Sequence, residues 1–221
     1  MPAFHPAPGD LPTEFAIFPL PGALLLPRGK LPLNIFERRY LAMTEDSLAS
    51  GRMFGMIQPD STAEALPTGP GLFNVGCLGR LSSFSETDDG RFLITLTGVI
   101  RFSIDSELEM RRGYRRIRAD FSAYLGDLNL DPQPTGIERE ILVAALRAYF
   151  ARRNVDANWD AIRRMPDETL VVTLAMVCPF EPVEKQALLE APDEAQRAAT
   201  LLALLQMGAA APDESPGRPV S

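Results

Sequence analysis

Apolar residues at the start of the chain fall in short runs cut by proline and glycine. The runs are FAIF at 15–18, LLL at 24–26 and LPLNIF at 31–36, and Pro19, Pro21-Gly22, Pro27 and Gly29 lie between them. Short apolar runs broken by residues that lack an N–H or tolerate unusual dihedrals predict strands joined by turns. Past Glu37 the period changes. Tyr40, Leu41, Thr44 and Leu48 fall at helical spacing and predict a helix over 38–49, closed by Gly51. Residues 53–58 predict a further strand and 59–70 an exposed loop. Residues 74–104 predict a β-meander that turns at Asp88-Asp89-Gly90, where Asp-Gly suits the positive φ of a hairpin turn. Large and polar side chains alternate over 114–124, the last expected strand.

Beyond Asp127 the pattern becomes helical. Pro132 and Pro134 mark a linker, and Thr135 with Glu138 has the spacing of a capping box. Ile137, Ile141, Leu142, Ala145, Leu146 and Tyr149 then share one face of a helix. Trp159 and Ile162 predict a short helix ending before Pro166. Asp167 caps the next, whose residues 170–177 are apolar nearly all round and belong at the centre of a bundle. Cys178-Pro179 stops it, Pro182 opens another helix to Ala191, and a last one carries Ala198, Leu201, Leu202 and Leu205 on one stripe. Strands followed by helices imply an α+β chain of two subregions, not an alternating α/β sheet.

The segment FPLPGALLLPRGKLPLNIFERRYLAM resembles the opening of the Lon substrate-binding domain, the N-terminal module of ATP-dependent Lon proteases, which also occurs free-standing and, in variant form, in cereblon. Phe18-Pro19-Leu20, the 24–27 run, Leu31-Pro32-Leu33, Ile35-Phe36-Glu37 and Arg39-Tyr40-Leu41 carry the match by their order and spacing. Residues 75–104, with Gly76, Gly90, Gly98, Arg101 and Phe102, resemble the family's second block, and residues 174–205 resemble the end of its helical part. The resemblance covers 15–207. It implies a β-rich PUA-like pseudo-barrel over 15–126 and a helical bundle over 127–207, flanked by flexible ends at 1–14 and 208–221. It also implies a free-standing, non-catalytic module that binds protein or peptide.

Composition narrows the remaining chemistry. The 221 residues are 46% hydrophobic and 23% charged, enough apolar content for a real core. The net charge of −7 argues against a general nucleic-acid binder. No run approaches the length of a membrane helix and no leader pattern is visible, so a cytoplasmic protein with no membrane partner is expected. Cys77 and Cys178 lack metal-ligand spacing, and neither a metal nor a cofactor is expected. The only Gly-Lys, Gly29-Lys30, is followed by Leu31, so there is no Walker A loop. Neither Lys30 nor Lys185 stands in a protease dyad motif, and the single histidine, His5, lies in the N-terminal stretch. An enzyme is therefore not expected.

Two candidate surfaces remain. Leu24, Leu26, Leu33, Phe36 and Tyr40 could line an apolar groove for unfolded or extended protein segments, or for a specific client, if they are not simply core. Arg111, Arg112, Tyr114, Arg115, Arg116 and Arg118 form the strongest charge feature. They are read first as an exposed edge strand kept soluble by charge, and second as a site for an anionic partner, including RNA.

Overall fold

β1 (Glu14–Pro19) pairs in parallel with β3 (Met53–Ile57) and antiparallel with β6 (Tyr114–Asp120). β3 pairs with β4 (Val75–Glu86), and β4 with the twenty-residue β5 (Phe92–Arg111). The far half of β5 then returns to β6, so five strands close on themselves. β5 makes this closure by serving two sets of neighbours: residues 92–103 face β4 and residues 103–111 face β6. β2 (Lys30–Ile35) stays outside the ring, paired with residues 92–97 of β5. The computed structural model describes residues 6–131 and 133–210, so the expectations for His5, Pro132 and the segment after Ala210 lie outside the described residues.

Phe15, Ile17, Ile57, Leu78, Ile100, Phe102 and Ile117 fill the ring, with the Phe15 and Phe102 rings edge to face at 5.1 Å. A closed barrel has no exposed edges to cap. β6 is therefore not the edge strand that its arginines suggest, because it is paired on both sides. β5 and β6 meet at Arg111↔Tyr114, leaving Arg112-Gly113 as a two-residue loop. Both loop residues have positive φ, 48° and 85°, the requirement of a primed hairpin turn that glycine meets without strain.

The helix over 38–49 forms as the periodicity predicts: α1 is Arg38–Ala49, followed by Gly51 at φ 82°. α2 (Arg139–Arg153), α3 (Trp159–Arg164), α4 (Asp167–Val177), α5 (Pro182–Glu190) and α6 (Glu194–Ala210) make the second layer. Several local expectations are corrected. Leu24, Leu25 and Leu26 are buried but join no ladder, whereas the turn at Asp88-Asp89-Gly90 forms where expected, with Gly90 at φ 77°. The final strand stops at Asp120 and a 3₁₀ segment, Ser122–Leu128, follows. Glu138 occupies the N-cap of α2 without a side-chain hydrogen bond, so no Thr135 capping box forms. Pro166, not Asp167, is the N-cap of α4, and Ile141 lies on the exposed side of α2.

Strands and helices share one apolar core. Leu24, Leu26, Ile35, Phe54 and Leu96 pack in the same cluster as Leu146, Tyr149, Leu170, Val171, Leu188 and Leu201. Buried polar groups cross the same seam. The Arg101 guanidinium, only 4% exposed, donates to Asp127 Oδ1 and Oδ2 at 2.8 and 2.9 Å and to the carbonyls of Leu189 and Ala191. Gln58 donates from β3's end to the Pro182 carbonyl at 3.0 Å and to Gln186, while Gln186 donates to the Val75 carbonyl. Lys185 Nζ donates to the carbonyls of Gly22 and Met176, and burial lowers its pKa. A buried polar group is tolerable only with partners, so the bonds that cross the seam pin the helices in one position on the barrel.

Candidate protein-binding surface

β2 pairs with β5 from Lys30↔Thr97 to Ile35↔Phe92 and, among the described residues, with no other strand. Its outer edge therefore offers backbone N–H and C=O groups to another extended chain. Pro32 withholds one donor, which weakens indiscriminate pairing without removing the edge. Lys30, Pro32 and Asn34 are exposed, whereas Leu31 and Leu33 are half-buried.

One exposed aromatic ring stands at the far end of this edge. Phe36, immediately after β2, is 62% exposed, and the Arg91 guanidinium lies 6.0 Å from its ring centroid. Phe84 of β4 is 42% exposed and meets Phe92 at 5.0 Å, but β5 lies between it and β2, so it is two strands in from this edge. At the near end, a groove of about 460 Å³ opens between residues 28–30 and one face of α4. An extended edge flanked by apolar surface at both ends can hold an extended segment by backbone bonding and side-chain contact together.

The apolar residues singled out in the sequence separate sharply. Leu24 and Leu26 are 1% and 0% exposed and belong to the core, so neither can line a surface groove. Tyr40 is also core: its ring meets Phe18 at 4.0 Å, and burial raises its pKa. Leu33 and Phe36 alone of the five reach the surface, on β2 and just beyond it. The sequence reading missed Lys30 as a member of this surface. A lone lysine opening the apolar LPLNIF run was the available signal.

The arginine hairpin is engaged internally. Arg112 bridges Glu45 and Asp46 at 2.8 and 2.9 Å, and Arg111 lies 3.3 Å from Asp46. Tyr114 donates to Asp46 at 2.6 Å; burial, then that bond, pushes its pKa up to about 12, while the Tyr114 bond lowers that of Asp46. Arg115, 5% exposed, pairs with Glu107 and donates to the Pro70 carbonyl, and Arg116 and Arg118 both reach Glu14. Each of these arginines already has a carboxylate, so the row ties the hairpin to α1 and β1 and is not a bare cationic surface for nucleic acid.

The two cysteines are free and buried, and burial raises the pKa of both, that of Cys178 to about 12. A thiol held protonated is a poor nucleophile. Among the described residues no cluster of His, Cys, Asp and Glu could hold a metal ion, and no helix is long and apolar enough to cross a membrane.

Comparison with known proteins agrees with this architecture. A family model described as the ATP-dependent protease La (LON) substrate-binding domain matches residues 14–207. A Lon protease of Desulfosudis oleivorans is 27% identical over 92 residues, 41% of this chain and 11% of that protein. Lon protease 2 of Sorangium cellulosum is 26% identical over 151 residues, 64% of this chain and 19% of that protein. The chain thus spans only a small part of these curated relatives. Among solved structures, a Lon N-terminal domain protein from Xanthomonas campestris superposes with a TM-score of 0.57 at 23% identity, covering 86% of this chain and 98% of that one. The N-terminal domain of a Mycobacterium avium complex Lon protease gives 0.56 at 14% identity, covering 87% and 97%. At these identities the likeness is one of fold.

Proposed function

The chain belongs to the ATP-dependent protease La (LON) substrate-binding domain family, and on that premise we propose that it captures extended or unfolded protein segments at the outer edge of β2, with Phe36 as the apolar anchor. One observation carries the reading: a strand edge left unpaired among the described residues ends beside a phenylalanine that is 62% exposed. A segment laid along that edge would gain main-chain hydrogen bonds, which do not depend on its sequence. The Phe36 ring would select an apolar side chain within it. Capture of this kind needs no chemistry from the domain itself.

Fluorescence anisotropy against an unstructured, apolar-rich peptide pool and a single-stranded RNA pool, at low and moderate salt, tests this reading. Saturable peptide binding that survives salt is the expected result. RNA binding that falls steeply with salt, with no peptide binding, would contradict it. Phe36→Ala should weaken peptide binding while changing folding stability by no more than about 0.5 kcal/mol, since an exposed ring has little packing to lose. A loss near the roughly 3–5 kcal/mol of a buried phenylalanine would instead make Phe36 a structural residue.

A further inference from the structure

One face of α4 opens onto a groove. Thr169, Val172, Thr173, Met176 and Val177 recur at helical spacing and line the groove of about 460 Å³ whose opposite wall is Arg28, Gly29 and Lys30. Val172 and Met176 are 5% and 9% exposed and form its floor, while Val177, 64% exposed, stands at its mouth. The groove sits where β2 begins. Charge at its rim is unevenly matched: the Arg28 guanidinium is bound to Glu168 of α4 and Glu194 of α6, whereas exposed Lys30 has no ion-pair partner among the described residues.

Strand direction decides which end of a bound chain reaches this groove. β2 runs from Lys30 to Ile35, and the better-paired arrangement for an added strand is antiparallel. The C-terminal end of that added strand then lies at Lys30, and its upstream residues lie beside Phe36. Pro32 leaves the backbone pairing one donor short, so recognition must draw on what the ends of the edge provide. What Lys30 and the α4 face provide is one unpaired ammonium beside an apolar floor.

Building on the proposed capture of protein segments, we propose that this groove receives the last residue of a client chain. Its apolar side chain rests on Val172 and Met176, and its terminal carboxylate pairs with Lys30. The occupant is thus a protein C-terminus ending in an apolar residue, bound antiparallel along β2.

The test uses an N-terminally labelled octapeptide ending in leucine, once as the free acid and once as the C-terminal amide, titrated against the whole protein by anisotropy. The free acid should bind roughly tenfold more tightly than the amide. That preference should vanish in Lys30→Ala, and both peptides should weaken in Thr173→Trp, which fills the groove. Melting curves confirm that each variant is folded, and Lys30, being exposed, keeps the test available if Thr173→Trp fails to fold. Equal binding of acid and amide, or a preference that persists in Lys30→Ala, would overturn the assignment. If acid and amide bind equally and both weaken in Phe36→Ala, the C-terminal groove falls while capture along β2 stands. If neither peptide binds, both fall.

Discussion

Arg101→Ala is expected to lower folding stability by about 3–5 kcal/mol, the cost of removing one partner from a buried ion pair and leaving the rest unmatched. The alanine would abandon the Asp127 carboxylate, itself only 10% exposed, and the Leu189 and Ala191 carbonyls at the end of α5. Arg101→Lys should recover little, because an ammonium cannot reproduce the planar fork that meets two carboxylate oxygens and two carbonyls at once. Urea unfolding followed by the single tryptophan, Trp159 of α3, and by far-ultraviolet circular dichroism measures the effect. The tryptophan transition should move to lower urea in both variants. A loss below about 1 kcal/mol for Arg101→Ala would mean that the apolar part of the seam holds the two layers without it.

Gly98→Ala is the second large effect, expected to cost about 3 kcal/mol from overpacking together with disturbed backbone bonds. A methyl group at Gly98 would press into the Leu26 carbonyl, 2.7 Å from its carbon and closer still to its oxygen. That carbonyl cannot simply withdraw. The Gly29 N–H donates to it at 2.9 Å, and Gly98 exchanges two further bonds with the same turn, Arg28 N–H to Gly98 O at 2.8 Å and Gly98 N–H to Gly29 O at 2.9 Å. This contact fixes the 24–29 segment against β5 and sets where β2 begins, so the variant should also weaken client binding. Gly126→Ala, where an added methyl meets nothing within 4 Å, is the control and should change the denaturation midpoint little.

How far the chain could be read before its structure was known depends on the range of the interactions involved. α1 was legible to its boundaries because Tyr40 and Thr44 repeat at helical spacing and Gly51 supplies the stop. Leu24, Leu25 and Leu26 were misread as a strand because a three-residue apolar run looks the same whether it joins a ladder or only fills a core. The arginine row misled for a different reason. The carboxylates that neutralise it, Glu14, Asp46 and Glu107, come from other elements, and only folding brings them together. The pseudo-barrel was expected from the family resemblance alone, since nothing local says that one twenty-residue strand will serve two sets of partners. Of the proposed surface, Leu33 and Phe36 were legible as apolar candidates. The edge that makes them useful depends on which side of β2 stays unpaired, a property of the whole sheet.

Amide hydrogen exchange of the protein with and without a saturating unstructured, apolar-rich peptide tests the central claim most directly, because it reports where the segment binds. Capture along β2 predicts slowed exchange within Lys30–Ile35 and at Phe36, on amides that point away from β5, with little change in β6. Protection centred on the Arg112-Gly113 hairpin, with the β2 amides unaffected, would contradict it.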